Sequence, residues 1–180
     1  MIFIEGADNS GKTKLIEKLV DDIKSPILNV NSNFGCKPSM INQRAMLQLS
    51  TTGTIHDRSR VISELVYGPI VRDHVQLRPT TIQAFYNSRP LVIYCRPPLG
   101  KILDNGSREQ MDGVLENHKE IVLAYDEVMK EMARFGVRVV NYDWRDPHGY
   151  QRVLSVVKRE LQDLFEKHCS SLQLAGVKSC

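Results

Sequence analysis

Eight residues near the amino terminus carry the clearest chemistry in the chain. Gly6-Ala7-Asp8-Asn9-Ser10-Gly11-Lys12-Thr13 satisfies G-x-x-x-x-G-K-[ST]. Two glycines at that spacing let the backbone curl until successive N–H groups point inward and cradle phosphate oxygens. A helix opening at Lys12 adds the positive end of its dipole. Lys12 reaches the β- and γ-phosphates of a nucleotide as a mobile point charge, and the Thr13 hydroxyl is a ligand for Mg²⁺. Gly6, Asn9, Ser10, Gly11, Lys12 and Thr13 are therefore the expected ATP-binding set. Asp8 lies inside the loop, where bound phosphates repel a carboxylate unless it faces away or meets a hydroxyl. It reads either as a turn former capping local N–H groups or as the base for a hydroxyl acceptor.

Further candidates follow other apolar runs. Asp57-Arg58 closes Thr54-Ile55-His56-Asp57. Asp57 is placed to order Mg²⁺-bound water or to act as a base, and Arg58 to hold an acceptor phosphate bidentately; a structural ion pair is the plain alternative. Glu64 and Tyr67 share a helix face at i, i+3. Tyr67 is a candidate to stack on an acceptor base, with core packing equally open, while Arg72 and Arg78 either line the acceptor site or are solvated. Arg96 follows an apolar run and Arg108 lies in the polar stretch beyond it. An arginine brought in by closure of such a lid stabilises charge on a transferring phosphoryl group; for Arg108 an exposed surface role is the alternative. Asp143-Trp144-Arg145 follows the last strand, so Trp144 and Arg145 are candidates to border the ATP adenine, with core packing the alternative for the single Trp.

These residues need elements to position them. Ile2 to Glu5 reads as a strand, and Leu15, Ile16, Leu19, Val20 and Ile23 share one face of a helix over 12–24. Strands follow at 27–30, 54–57, 91–95 and 137–142. Helices are expected over 38–49, 60–67 (ended by Gly68-Pro69), 80–86, 113–135 and from 146 to about 167. Residues 96–112 read as a loop or lid. Leu91 to Cys95 is apolar throughout, as in a strand buried on both faces. The alternation predicts an α/β fold of three layers, a five-stranded parallel sheet flanked by helices, with ligands beyond the carboxyl ends of its strands. One domain over 1–168 and a flexible tail over 169–180 are expected. The apolar stripe of helix 113–135, His118 included, is core or a subunit contact, which leaves a homodimer open.

Composition narrows the partners. The 180 residues include 24 Lys+Arg against 21 Asp+Glu, a net charge of +3. That excludes an acidic disordered chain and a strongly cationic nucleic-acid coat, while a local patch for nucleic acid stays open. An apolar share of 42% is that of a globule with a real core. No apolar run approaches the ~20 residues of a membrane span. Met1 leads straight into Ile2-Phe3-Ile4 without a basic leader, and the four cysteines form no CxxC pair. Both features point to a cytoplasmic protein with reduced thiols, no zinc site and no membrane partner. There is no N-K-x-D guanine motif and no four-apolar-plus-Asp strand, which suits small kinases better than GTPases or motor ATPases.

On these residues the chain resembles the thymidylate kinase and deoxynucleoside kinase group. Ile4-Glu5-Gly6-Ala7-Asp8-Asn9-Ser10-Gly11-Lys12-Thr13 is similar to its "EGxDxxGK[ST]" opening. His56-Asp57-Arg58-Ser59 with Ser63-Glu64-Leu65-Val66-Tyr67-Gly68 is similar to its "DR[YS]…S…Y" stretch. The whole is most like small kinase-like proteins of tailed bacteriophages, over roughly residues 1–145. The resemblance implies transfer of the γ-phosphate of Mg-ATP to a deoxynucleotide, contact of Asp8 with the acceptor sugar, acceptor binding by Arg58, Glu64, Tyr67 and Arg72, and lid arginines at Arg96 and Arg108. The "REPG" segment of thymidylate kinases is missing, with Asn31-Ser32-Asn33-Phe34-Gly35 near its place. Asn9 stands where some of them carry an arginine. Three acceptors therefore stay open: a deoxynucleoside monophosphate, the hydroxymethyl group of hydroxymethyluracil within DNA, and a free deoxynucleoside. A regulator that binds ATP without turnover is the alternative of a different class.

Overall fold

Period-two alternation organises the centre of the molecule. In β1 (Ile2–Glu5), Ile2 and Ile4 enter one apolar cluster and Phe3 the other. The same alternation in β4 (Leu91–Cys95) sends Leu91, Ile93 and Cys95 one way and Val92 and Tyr94 the other. Both strands are buried along their whole length, which explains their apolar character, broken only by Glu5 at the end of β1. The computed structural model describes residues 1–24, 29–32, 38–51, 53–103 and 116–174. Its five strands are all parallel, in the order β2 (Asn29–Ser32), β3 (Thr54–Asp57), β1, β4, β5 (Arg138–Tyr142). Register pairs Ile4 with Asp57 and with Ile93, so β1, β3 and β4 end at one edge.

Helices α1 (Lys12–Ile23) and α7 (Gly149–Leu174) cover one face through Leu15, Ile16 and Leu19 against Val153, Leu154, Val157 and Leu161. The other face carries α2 (Ile41–Leu49), α3 (Arg60–Arg72), α4 (Pro79–Ser88), α5 (Leu99–Leu103) and α6 (His118–Arg134). Each fully buried Phe, Ile or Leu in these layers stabilises the fold by about 1.5–3 kcal/mol. The chain leaves β1 for the edge strand β2, returns to β3 beside β1, and then crosses to the other side at β4. Winding therefore reverses at β1, where a parallel α/β sheet opens a crevice for ligands. No described helix is long and apolar enough to cross a membrane.

Several boundaries differ from the sequence reading. The second strand covers 29–32 rather than 27–30, with 25–28 outside the described residues. Residues 38–40 form a single 3₁₀ turn ahead of α2. Gly68-Pro69 does not end α3, which continues to Arg72. The stretch 96–112 is not all loop: Leu99–Leu103 is a short helix that buries Ile102. Helix α6 begins at His118, with 113–115 outside the described residues. The last helix runs on to Leu174, through part of the expected tail. No glycine or proline interrupts 150–175, so nothing local stops it near Lys167.

Candidate active site

The phosphate loop lies between β1 and α1, at the point of reversal. Gly6 has φ 142°, and a Cβ there would stand 2.5 Å from the carbonyl oxygen of Cys95 and 2.7 Å from Ser10 Oγ. Only glycine permits this approach to the end of β4. Asn9 (φ 64°) and Gly11 (φ 91°) complete the curl. Lys12 folds back into the loop, its ammonium donating to the carbonyls of Gly6 (2.9 Å) and Ala7 (2.7 Å). Burial lowers the Lys12 amine to about 8, with Arg58 pushing the same way and Asp8, Cys95 and Glu5 opposing. Helix α1 starts with no side-chain cap and no acid in its first turn. Ser10 Oγ is buried with no hydrogen-bond partner among the described residues. Uncapped N–H groups, an unpartnered hydroxyl and a buried ammonium form a donor set that fits a polyphosphate. Thr13, next on the helix, is exposed.

Arg58 stands beside this loop. It follows β3 in a left-handed conformation (φ 71°), with its N–H bonded to the carbonyl of Ile4 at 3.1 Å. The guanidinium forms an ion pair with Asp8 and donates to the hydroxyls of Tyr67 (3.2 Å) and Tyr125 (2.8 Å). Burial opposes its charge, but Tyr125, Tyr67, Asp8 and Glu5 more than compensate, so Arg58 is held protonated. Gln48 from α2 grips the same turn, donating to the Arg58 carbonyl (3.1 Å) and accepting from the Arg60 N–H (2.9 Å). Ser59 caps α3 through its hydroxyl. Beneath these groups Glu5 is fully buried. One carboxylate oxygen accepts from the Ser59 N–H and the other from the Tyr125 hydroxyl at 3.2 Å. Burial raises the Glu5 carboxyl to about 7, while Arg58, the Ser59 N–H, Lys12 and Tyr125 each pull it back. His118, at the start of α6, donates from Nε2 to the Asp8 carbonyl at 3.3 Å.

The remaining candidates divide. Asp57 pairs in register with Ile4 at the same sheet edge. Trp144 packs on the loop: its Cδ1 would lie 3.1 Å from a Cβ on Gly11. Arg145 turns to Asp143, 2.9 Å away. Arg96 sits at the end of β4 but is engaged bidentately by Asp126 of α6, at 2.8 Å from Nε and from Nη2, and Tyr94 donates to the same carboxylate. Glu64 and Arg72 meet each other rather than Arg58: Arg72 Nη2 donates at 2.6–2.7 Å, and the Gln76 N–H adds 2.8 Å. Arg108, with most of the lid, lies outside the described residues. Glu5, Tyr125, Gln48 and His118 were not singled out as site residues from the sequence. For Glu5 a signal existed: an acid at the end of an otherwise apolar strand, on the same face as Phe3.

No family model matches this chain, and no curated protein does. Among solved structures, it is similar to the YorR protein of Bacillus subtilis, determined in complex with phosphorylated GDP. The TM-score is 0.67 at 20% identity, covering 87% of this chain and 95% of YorR. That likeness establishes the fold: a parallel α/β sheet flanked by helices.

Proposed function

We propose that this chain is a nucleotide kinase that moves the γ-phosphoryl group of ATP onto the phosphate of a deoxynucleoside monophosphate. The observation that carries this reading is the meeting of Asp8 and Arg58. An acid from inside the phosphate loop and a cation from the next strand face each other at the loop's rim. YorR, solved with phosphorylated GDP, supports a nucleotide as the ligand of a molecule of this shape. In this reading the loop N–H groups, Ser10 and Lys12 hold the β- and γ-phosphates, and Trp144 with Arg145 borders the base. Thr13 and Asp57 would hold Mg²⁺, which when bound draws charge from the transferring phosphoryl group. No group of three ligating side chains occurs among the described residues, as suits a magnesium carried chiefly by substrate phosphates.

Arg58 takes the acceptor phosphate, with Asp8 and Tyr67 at its side. An acceptor oxygen attacks the γ-phosphorus, the bond to the β,γ-bridging oxygen breaks, and ADP leaves. A phosphate oxygen is already anionic and needs no base. A hydroxyl acceptor does need one; Asp8 is ion-paired to Arg58, Asp57 holds Mg²⁺ in this reading, and Glu5 is sealed from solvent. That difference favours the phosphate acceptor. Charge on the transferring group falls to Lys12 and Arg58, the two cations already at the loop, while Arg96 at the end of β4 is turned to Asp126 of α6. The test is ADP formation from Mg-ATP with a panel of deoxynucleoside monophosphates, free deoxynucleosides and hydroxymethyluracil-containing DNA. Turnover is expected with a monophosphate and is expected to fall by about 10²–10³ in Lys12→Ala. Transfer to a nucleoside or to DNA would move the acceptor. Binding of ATP without transfer to any of them would make the protein a nucleotide-binding regulator.

A further inference from the structure

We infer that Glu5 is a positioning residue that fixes the Arg58 guanidinium at the rim of the phosphate loop, through two separate links. The first runs through the main chain: Glu5 accepts the N–H of Ser59, the residue after Arg58, and so holds the turn in which Arg58 is left-handed. The second runs through a side chain: the Tyr125 hydroxyl donates to Glu5 and accepts from Arg58 Nη1 at 2.8 Å. A hydroxyl has one proton, so directing it at the ionised Glu5 carboxylate, the form that prevails above pH 7, leaves its lone pairs for the guanidinium. Glu5 thereby sets the direction of the Tyr125 bond and the side of the oxygen that Arg58 meets.

Three features argue for this role over simple packing. Glu5 occupies a strand position whose neighbours Ile2, Phe3 and Ile4 are all fully buried and apolar, where an ionisable side chain is costly without purpose. Its bonds to Ser59 and Tyr125 lie one step from Arg58, at the N-cap of α3 and on α6. The chain Glu5–Tyr125–Arg58–Asp8 then reaches the phosphate loop from behind. Glu5 itself has no solvent access, so it acts through Arg58.

The inference rests on Arg58 as the acceptor-side cation, and its test has one arm that needs no turnover. In ligand-free protein with ¹⁵N-arginine, Arg58 (assigned by its loss in Arg58→Lys) is expected to show separate Nη1 and Nη2 signals, because Asp8 and the two tyrosines block rotation about Nε–Cζ. Glu5→Gln and Tyr125→Phe are each expected to speed that rotation at least tenfold. In turnover, both are expected to raise the acceptor KM at least tenfold with the ATP KM within twofold, and the double variant is expected to raise it further but by less than the product of the two single effects, because only the side-chain link is shared. Unchanged rotation in Glu5→Gln, or equal rises in both KM values, would overturn the role. If Glu5→Gln does not fold, Glu5→Asp decides by the same readouts, since it keeps the carboxylate on β1 but withdraws it by one methylene from the Ser59 N–H and the Tyr125 hydroxyl. Absence of transfer by the parent protein would sink the kinase reading alone, leaving the rotation measurement to judge Glu5.

Discussion

Glu5 and His56 lie on neighbouring strands and titrate in opposite senses. The Glu5 carboxyl is raised from 4.5 to about 7, so its contribution to stability is full below pH 4.5 and is lost as the pH rises through 7. His56 is stacked on Phe3 at 5.0 Å with Nε2 3.0 Å from Thr51 Oγ1, and burial, aided by the charged amino terminus, lowers it from 6.5 to about 4. Its contribution is full above pH 6.5 and is lost as the pH falls through 4. Each shift corresponds to about 3 kcal/mol. Between pH 4.5 and 6.5 the two slopes offset each other, so these groups leave the stability nearly level. Glu5→Gln removes one of them. Urea unfolding of that variant is expected to show stability rising with pH by about 3 kcal/mol from pH 4 to 6.5. A profile parallel to the parent protein would show that Glu5 does not titrate in this window.

At the scale of elements, α3 illustrates how a distant partner overrides local punctuation. Pro69 leaves the Leu65 carbonyl without its helical donor, a cost of about 3 kcal/mol in an isolated helix. Gly68-Pro69 therefore looks like a stop. The helix continues because Ile70 packs on the core and Arg72 reaches back one turn past the proline to Glu64. Gly68 makes room: a Cβ there would stand 2.9 Å from Glu64 Oε1 and from the His74 carbonyl. Glu64→Ala strands the Arg72 guanidinium and the Gln76 N–H and is expected to cost about 2–3 kcal/mol by denaturant titration. A loss below about 0.5 kcal/mol would place the pair with ordinary surface bridges. The phosphate loop, by contrast, was legible residue by residue, because its geometry is dictated by glycines inside eight consecutive positions. β4 was legible for a similar reason, its five apolar residues being enough to mark a strand buried on both faces. The grouping of Glu64 with Tyr67 was not resolved, since i, i+3 spacing says which side chains are neighbours but not that Tyr67 turns to Arg58 while Glu64 turns to Arg72.

At the scale of the whole molecule, the site is built where the direction of winding reverses, and its parts come from β1, β3, α3, α6 and the turn after β5. The roles of Asp8 and Arg58 could be suspected from their places after strands. The convergence of Glu5, Tyr125 and Arg58 could not, because nothing local in a helical tyrosine distinguishes a core side chain from one that meets an arginine. If ATP occupies the loop, it binds only the assembled fold. Mg-ATP at a hundred times its Kd should add about 2.7 kcal/mol. A domain of this size then melts about 5–10 °C higher. The same ligand should leave Lys12→Ala unmoved in a thermal scan; an equal rise in that variant would put the ligand elsewhere.

The sequence distances inside the site have a consequence for how the protein comes to exist. Asp8 and Arg58 are 50 residues apart, Arg58 and Tyr125 are 67 apart, and Glu5 and Tyr125 are 120 apart. Loops of that length must close before any of these bonds is made, and parallel strands close them late. A chain synthesised from its amino terminus carries the phosphate loop early, yet it has no partner for Arg58 on α6 until two-thirds of it has been made. The loop and its neighbouring cation therefore become a working pair only on completion of the sheet and the α6 layer. A chain arrested before α6 carries the phosphate loop without the Tyr125 bonds to Glu5 and Arg58.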